Sequence, residues 1–211
     1  MESSDQSALR REPPTALPGF GHIRRYWDKP NGGFSAKLLP GEHYVTVTEE
    51  IISTVLGAGI AVCVRDPGTG VAGMNHFLMP ENEGDILRLV GGGPDPRARY
   101  GDHAMSQLVE TVLAQGGKVS RLEFKIFGGA KAFVDTAEVA RRSIAFVQGW
   151  MRDRGYRVAA EDLGGPYSRK LLFFPGDGRV RVKKLRELQN DTLLVRDRNY
   201  LRSLANPSRP R

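Results

Sequence analysis

The sequence predicts an α+β domain in which two amphipathic helices are layered on a largely antiparallel sheet. Several short segments are β-branched, alternating or continuously apolar, as strands are, and two longer segments carry apolar residues at helical spacing. Clusters of Gly, Pro and Asp separate the short segments and favour tight turns. Long strands combined with two amphipathic helices indicate helices packed on one sheet layer.

The strand signal is strongest between residues 44 and 79. Residues 44–48 alternate, and residues 60–64 form the continuous apolar run typical of a buried strand. The turn residues 66–70 predict a hairpin whose second strand spans residues 71–79. Further strands are predicted at 119–127, 156–160, 170–174 and 179–184.

Two helices are predicted at residues 102–115 and 136–154. Asp102 can cap the first helix, and Gly116 and Gly117 end it. Asp135 and Glu138 have the spacing of a capping box for the second helix.

Composition and charge exclude several classes of protein. The chain has 211 residues, 40% of them hydrophobic, and a net charge of +7. Residues 179–211 contain ten Lys and Arg but three acids, which accounts for the whole excess. The rest of the chain is balanced, which argues against a nucleic-acid-binding domain. The basic end is expected to be a solvated tail, with contact to an acidic partner as the alternative.

Other features predict a cytoplasmic protein without a metal or cofactor. Cys63 is the single cysteine, so no intrachain disulfide can form. No apolar run is long enough to span a bilayer, and the polar N-terminus lacks the apolar core of a secretory signal. The four histidines belong to no CxxC, HExxH or DxDxDG pattern, and no GxGxxG motif is present.

One hairpin carries a possible hydrolytic site. If its turn centres on Gly68, paired residue numbers sum to about 136, so His76 lies opposite Ile60 and next to Gly59. The small residues 57–59 expose backbone N–H groups that can stabilise an oxyanion. A histidine near such a turn and near hydroxyl groups suits hydrolysis. From these residues alone, a structural histidine is the favoured alternative.

Six spaced motifs carry a resemblance to a known family. They are Gly19–Trp27, Leu39–Tyr44, Gly73–Pro80, Arg99–Asp102, Lys125–Ala130 and Glu161–Gly165. With them the chain resembles the chemoreceptor glutamine deamidases, the CheD-type family of bacterial chemotaxis. The resemblance covers about residues 19–185. It leaves residues 1–18 as a disordered N-terminal tail and residues 186–211 as a basic C-terminal tail.

The resemblance implies a layered α/β/β sandwich and hydrolysis of glutamine side chains on methyl-accepting chemotaxis receptors. In the family a cysteine attacks the carboxamide, a histidine moves the proton, and a nearby threonine organises the site. The histidine corresponds to His76, and the threonine position to Ser53, with Thr54 beside it. The cysteine position is Gly59, which has no side chain.

This departure leaves two functions open. One is a receptor glutamine deamidase; the other is a weak or inactive pseudoenzyme that binds receptors or a chemotaxis phosphatase of the CheC type. Cys63 is not expected to replace the missing nucleophile. It lies four residues beyond Gly59, roughly 13 Å along a strand, within an apolar run.

Overall fold

The fold is described from a computed structural model, which covers residues 12–78, 101–131, 136–185, 195–197, 199 and 200. These residues form two five-stranded sheets and two α-helices. The outer sheet has the order β1-β2-β4-β9-β10, and the inner sheet the order β3-β6-β5-β7-β8. The outer strands are β1 (Arg24–Asp28), β2 (Gly33–Leu38), β4 (Ile51–Leu56), β9 (Ser168–Phe174) and β10 (Arg179–Leu185). The inner strands are β3 (His43–Thr46), β6 (Ala72–Phe77), β5 (Ile60–Arg65), β7 (Glu123–Gly128) and β8 (Val158–Leu163).

The two helices cover the inner sheet. Helix α1 (Gly101–Ala114) packs on β6 and β3, and α2 (Ala137–Asp153) packs on β5. The outer sheet packs on the opposite face of the inner sheet through β2 and β4. The predicted α/β/β sandwich with both main helices on one side is therefore confirmed.

Two strands of the inner sheet, β5 and β6, are almost completely buried. Strands β5 and β6 lie at the centre of the inner sheet, between the helices and the outer sheet. Nearly every residue in them is buried, polar Asn75 and His76 included. Each fully buried large apolar side chain contributes about 1.5–3 kcal/mol. The continuous apolar run of β5 thus predicted its central position correctly.

Pairing within the sheets is mostly antiparallel, as predicted. The exceptions among the described strands are β2 with β4 and β7 with β8, which run parallel. The β5–β6 hairpin is shifted by one residue from the predicted register, because Ala61, and not Ile60, lies opposite His76.

Some predicted boundaries were wrong. The segment predicted to begin a strand at Val119 forms a short 3₁₀ helix (Val119–Arg121), and the strand begins at Glu123. Strands β1 and β2 were not predicted, whereas β4 lies within residues 44–79, which read as strands, but was not delimited. Asp102 lies inside α1, where its carboxylate accepts a hydrogen bond from the indole of Trp150 at 3.0 Å. Asp135, of the predicted capping box, lies outside the described residues.

Parts of both predicted tails contact the domain. Leu17 packs against the main core, and the Arg25 guanidinium donates a hydrogen bond to the Pro14 carbonyl. Near the other end, Asp197 and Tyr200 are buried. The packed structure therefore extends beyond the predicted limits of residues 19 and 185. None of the described helices is long and apolar enough to cross a membrane.

Candidate functional site

The candidate site lies where the chain crosses from one sheet to the other. Strand β4 ends in the outer sheet at Leu56, and β5 begins in the inner sheet at Ile60. Residues 57–59, here named the crossing turn, join them. The turn is fixed by two hydrogen bonds, from the Gly129 amide to the Gly59 carbonyl at 2.9 Å and from the Ala130 amide to the Gly57 carbonyl at 3.0 Å. A side chain at Gly128 would overlap the Gly59 carbonyl, so the two backbone segments can meet because residue 128 is glycine.

His76 lies on β6 directly beside this turn. Its backbone amide donates to the Glu42 carbonyl at 2.9 Å, and its carbonyl accepts from the Gly41 amide at 2.7 Å. Because Ala61 is its cross-strand partner, His76 projects to the same face as Ala61 and as Gly59, two residues earlier. The predicted register would have put His76 and Gly59 on opposite faces. The one-residue shift is therefore what brings them together.

Thr54 orients the imidazole of His76. The Nδ1 atom of His76 lies 2.9 Å from the Thr54 hydroxyl oxygen, which also lies 2.9 Å from the Leu38 carbonyl. A hydroxyl has one proton, and a carbonyl can only accept, so that proton goes to Leu38. His76 must then donate from Nδ1, which leaves the lone pair on Nε2. This tautomer makes Nε2 the basic atom of the ring.

The imidazole is electrically neutral in the folded protein. His76 is fully buried, and burial, followed by the positive charge of Arg196, lowers its pKa well below the usual value. Within the described part of the chain, Nε2 has no hydrogen-bond partner. A buried acceptor left unpaired in this way costs about 1–3 kcal/mol. His76 is thus a neutral base with a free lone pair at neutral pH.

The lone pair faces residue 59. A β-carbon built on Gly59 would lie 2.7 Å from Nε2 of His76, 2.8 Å from Cδ1 of Leu78 and 3.0 Å from the Phe77 carbonyl oxygen. These distances are shorter than normal carbon contacts. The histidine and leucine side chains therefore fill the space that a side chain at position 59 would need.

Ser53 is not brought to His76. Its hydroxyl lies 2.9 Å from the Ser35 hydroxyl and donates to the Ala36 carbonyl at 3.3 Å. Consecutive residues of a strand point to opposite faces, so Ser53 faces away from the histidine that Thr54 contacts. It lines a cavity of about 270 Å³ on the outer sheet, whose lining also includes Thr54, Arg24, Lys37 and Lys170. The hydroxyl hydrogen-bonded to the histidine belongs to Thr54, and the role assigned to Ser53 stays a prediction.

Cys63 lies in the core between the sheets. It is 1% exposed, and burial raises the pKa of its thiol. Its cross-strand partner is Met74, so it lies along the strand from His76 on the side away from Gly59. A thiol with a raised pKa is a poor nucleophile.

The C-terminal segment reaches the crossing turn, which the sequence did not suggest. Asp197 is 3% exposed, and its carboxylate accepts a hydrogen bond from the Ala58 amide at 3.3 Å. Arg196 donates to the Val55 carbonyl at 2.9 Å and pairs with Asp197 at 2.7 Å. The many basic residues of this segment favoured the prediction of a solvated tail, although the aromatic Tyr200 is a residue type that is often buried. The described residues contain no cluster of three or more His, Cys, Asp or Glu that could hold a metal ion.

Comparison with known proteins identifies the family. A family model described as CheD chemotactic sensory transduction matches residues 89–184. The probable chemoreceptor glutamine deamidase CheD of Halorhodospira halophila is 47% identical over 191 residues, covering 90% of this chain and 88% of the relative. This chain belongs to the CheD family. The probable chemoreceptor glutamine deamidase CheD of Hahella chejuensis is 43% identical, over 92% of this chain and 90% of the relative. That of Saccharophagus degradans is 40% identical, over 90% of this chain and 88% of the relative.

Family membership confirms the resemblance predicted from the motifs. In this CheD-family chain the oriented, neutral histidine faces a backbone position that has no side chain. The arrangement can accept a proton at Nε2 and can offer the Ala58 N–H to a carbonyl or carboxylate oxygen. It contains no nucleophilic side chain at residue 59.

Proposed function

We propose that this protein acts in the cytoplasm on chemotaxis receptors, as a protein of the receptor glutamine deamidase type. The observation that carries the proposal is family membership over about nine-tenths of the chain, combined with a buried, oriented histidine at the crossing turn. The reaction of this type converts a glutamine carboxamide and water to glutamate and ammonia. The partners are the receptors that carry such glutamines.

Three residues have roles in this proposal. Thr54 holds the ring of His76, and Nε2 of His76 accepts the proton of the attacking group. The Ala58 N–H of the crossing turn, which donates to Asp197 in the free chain, would stabilise the oxygen of the carboxamide as charge develops there. Ser53 has no direct part, because its hydroxyl bonds to the other side of β4.

Binding without turnover is the second candidate function, and Gly59 favours it. Losing the nucleophile of a covalent mechanism can lower kcat on the order of a million-fold. Without a thiol, His76 could activate only a water molecule, and the space at residue 59 is already filled by His76 and Leu78. Such a protein would still dock on receptors, and a chemotaxis phosphatase of the CheC type is a further proposed partner.

One experiment separates the two functions. The purified chain is incubated with receptor cytoplasmic fragments, and glutamine-to-glutamate conversion is followed by peptide mass spectrometry and by ammonia release. Calorimetric titration of the same fragments measures binding. Product above a His76→Ala control supports the deamidase, and binding without product supports the second candidate. Absence of both product and binding would refute the proposed function.

A further inference from the structure

The C-terminal segment, here meaning residues 195–197, 199 and 200, is attached to the crossing turn and to the end of β4. The Arg196 guanidinium donates hydrogen bonds to the carbonyl of Val55, near the end of β4, and to the Asp197 carboxylate. Asp197 is almost fully buried, although its neighbours in sequence are basic. A buried carboxylate needs such a partner, because desolvating a charge is unfavourable.

The Asp197 carboxylate packs against the backbone of the crossing turn at Gly57 and Ala58. One of its oxygens accepts from the Ala58 amide, and a β-carbon at Gly57 would overlap the same oxygen. Residue 57 can accommodate the carboxylate because it has no side chain. The turn therefore fits a planar carboxyl group against its backbone.

Tyr200 lies in a buried apolar cluster next to the turn. It is 8% exposed and belongs to a small buried cluster with Ala58 and Leu78, which also includes Val139 and Ala140 of α2. Leu78 is one of the two side chains that fill the space at Gly59. The segment thus contacts the turn by polar groups, and its aromatic ring shares a buried cluster with Ala58 of the turn and with Leu78.

We propose that the crossing turn is a binding site for the terminal carboxyl or carboxamide group of a side chain, and that Asp197 occupies it in the free protein. An aspartate carboxylate is planar and presents two acceptor oxygens, as a glutamate side chain does, and a glutamine carboxamide is planar with one acceptor oxygen. The C-terminal segment is then an internal competitor, which a receptor side chain must displace before it reaches His76. This inference rests on the proposed function.

The first test measures access to His76 and needs no receptor. Diethyl pyrocarbonate acylates neutral imidazole, and peptide mass spectrometry reports the rate at each histidine. We expect Asp197→Ala to speed modification of His76 about tenfold, because the open fraction of the site rises. Asp197→Asn keeps an acceptor oxygen and should give a smaller increase. Asp177→Ala, which removes an exposed carboxylate paired with Arg179, is the matched control and should change nothing.

Small molecules then define the ligand class. N-acetylglutamine amide and N-acetylglutamate amide are added to the Asp197→Ala protein, and each should slow modification of His76 if it enters the site. Protection by one and not the other decides between carboxamide and carboxylate. Equal His76 rates in Asp197→Ala and the unaltered chain would overturn the occupancy, and protection by neither compound would overturn the site.

Receptor binding provides the second test. By calorimetry, Asp197→Ala should bind receptor fragments about tenfold more tightly than the unaltered chain, since no internal competitor has to be displaced. Unchanged or weaker affinity in a variant that melts like the unaltered chain would contradict the competition. If no variant binds receptors at all, the proposed function fails, while the His76 modification rates still decide whether Asp197 occupies the turn. Tyr200→Ala, which keeps the carboxylate but removes the aromatic cover, takes the place of Asp197→Ala if that variant does not fold.

Discussion

Replacing Gly59 with cysteine tests both the space and the chemistry of the site. The new β-carbon would lie 2.7 Å from Nε2 of His76 and 2.8 Å from Cδ1 of Leu78, so both side chains must move. His76 is held by Thr54, and its displacement would stretch that hydrogen bond. Overpacking of this kind costs about 1–3 kcal/mol. In a chain of this size each kcal/mol lowers the Tm by about 2–4 °C.

Gly59→Ala is the matched control, because it adds the same β-carbon without a sulfur atom. Both variants should lose similar stability by calorimetry or urea unfolding. Only Gly59→Cys should gain chemistry, since a thiol beside the free Nε2 lone pair can lose its proton to the ring. The assays are alkylation of the thiol by iodoacetamide and ammonia release from receptor fragments, each repeated in the Gly59→Cys/His76→Ala double variant.

The two outcomes that would refute this reasoning are distinct. If Gly59→Ala is as stable as the unaltered chain, the space beside His76 is not filled as described. If the thiol introduced by Gly59→Cys is alkylated no faster than the same thiol in the double variant, the base does not face residue 59. A stable Gly59→Cys protein that is alkylated rapidly but releases no ammonia would instead favour receptor binding without turnover.

Three further predictions concern stability. Thr54→Val removes the hydrogen bond to His76 and should lower the free energy of unfolding by about 1–3 kcal/mol. Thr54→Ser keeps the hydroxyl and should lower it by less. Urea unfolding measures both variants, and equal losses of stability would argue against the role of the hydroxyl. Burial lowers the pKa of His76, and that of His43 to about 4, so below the ordinary histidine pKa the unfolded chain binds more protons than the folded chain. The free energy of unfolding should therefore fall as the pH drops below about 6.5, by up to about 1.4 kcal/mol per pH unit for each group. His76→Gln should reduce this pH dependence in denaturation measured at several pH values, and an unchanged slope would contradict the prediction. The Arg121 guanidinium holds the pKa of buried Asp66 below its usual range. The contribution of this carboxylate to stability should therefore be present at neutral pH and be lost as the pH falls below about 4. Asp66→Asn should lower the urea midpoint at pH 7 but change it less at pH 3, and equal shifts at both pH values would count against the ion pair.

The sequence predicted the inner sheet better than the outer sheet. Strands β5 and β6 are buried on both faces and joined by a tight turn, so their apolar runs and the turn residues 66–70 identified them. Strand β1 has the sequence Arg-Arg-Tyr-Trp-Asp and lies at a sheet edge, where polar residues are tolerated and periodicity is weak. Strand β2 pairs in parallel with β4, a contact that no local turn signal announces.

Local chemistry also limited prediction of the site. The turn at residues 66–70 located the hairpin, but not its register to one residue, and that residue decides which face His76 occupies. The choice of Thr54 over Ser53 depends on the same alternation. Ser53 stands between Ile51 and Val55, and Thr54 between Ile52 and Leu56, so both have apolar neighbours and the sequence did not distinguish them. The return of Asp197 to Ala58 spans 139 residues of sequence and has no local pattern at all.

The hydrogen bond between Thr54 and His76 joins the two sheets, since one residue belongs to the outer layer and the other to the inner layer. This hydrogen bond stabilises the packing of the two sheets whether or not any reaction takes place beside it. A lineage that lost the sulfur at residue 59 would still be under pressure to keep this pair, because a change at either residue would loosen the sandwich. The same hydrogen bond therefore contributes to the fold in both candidate functions.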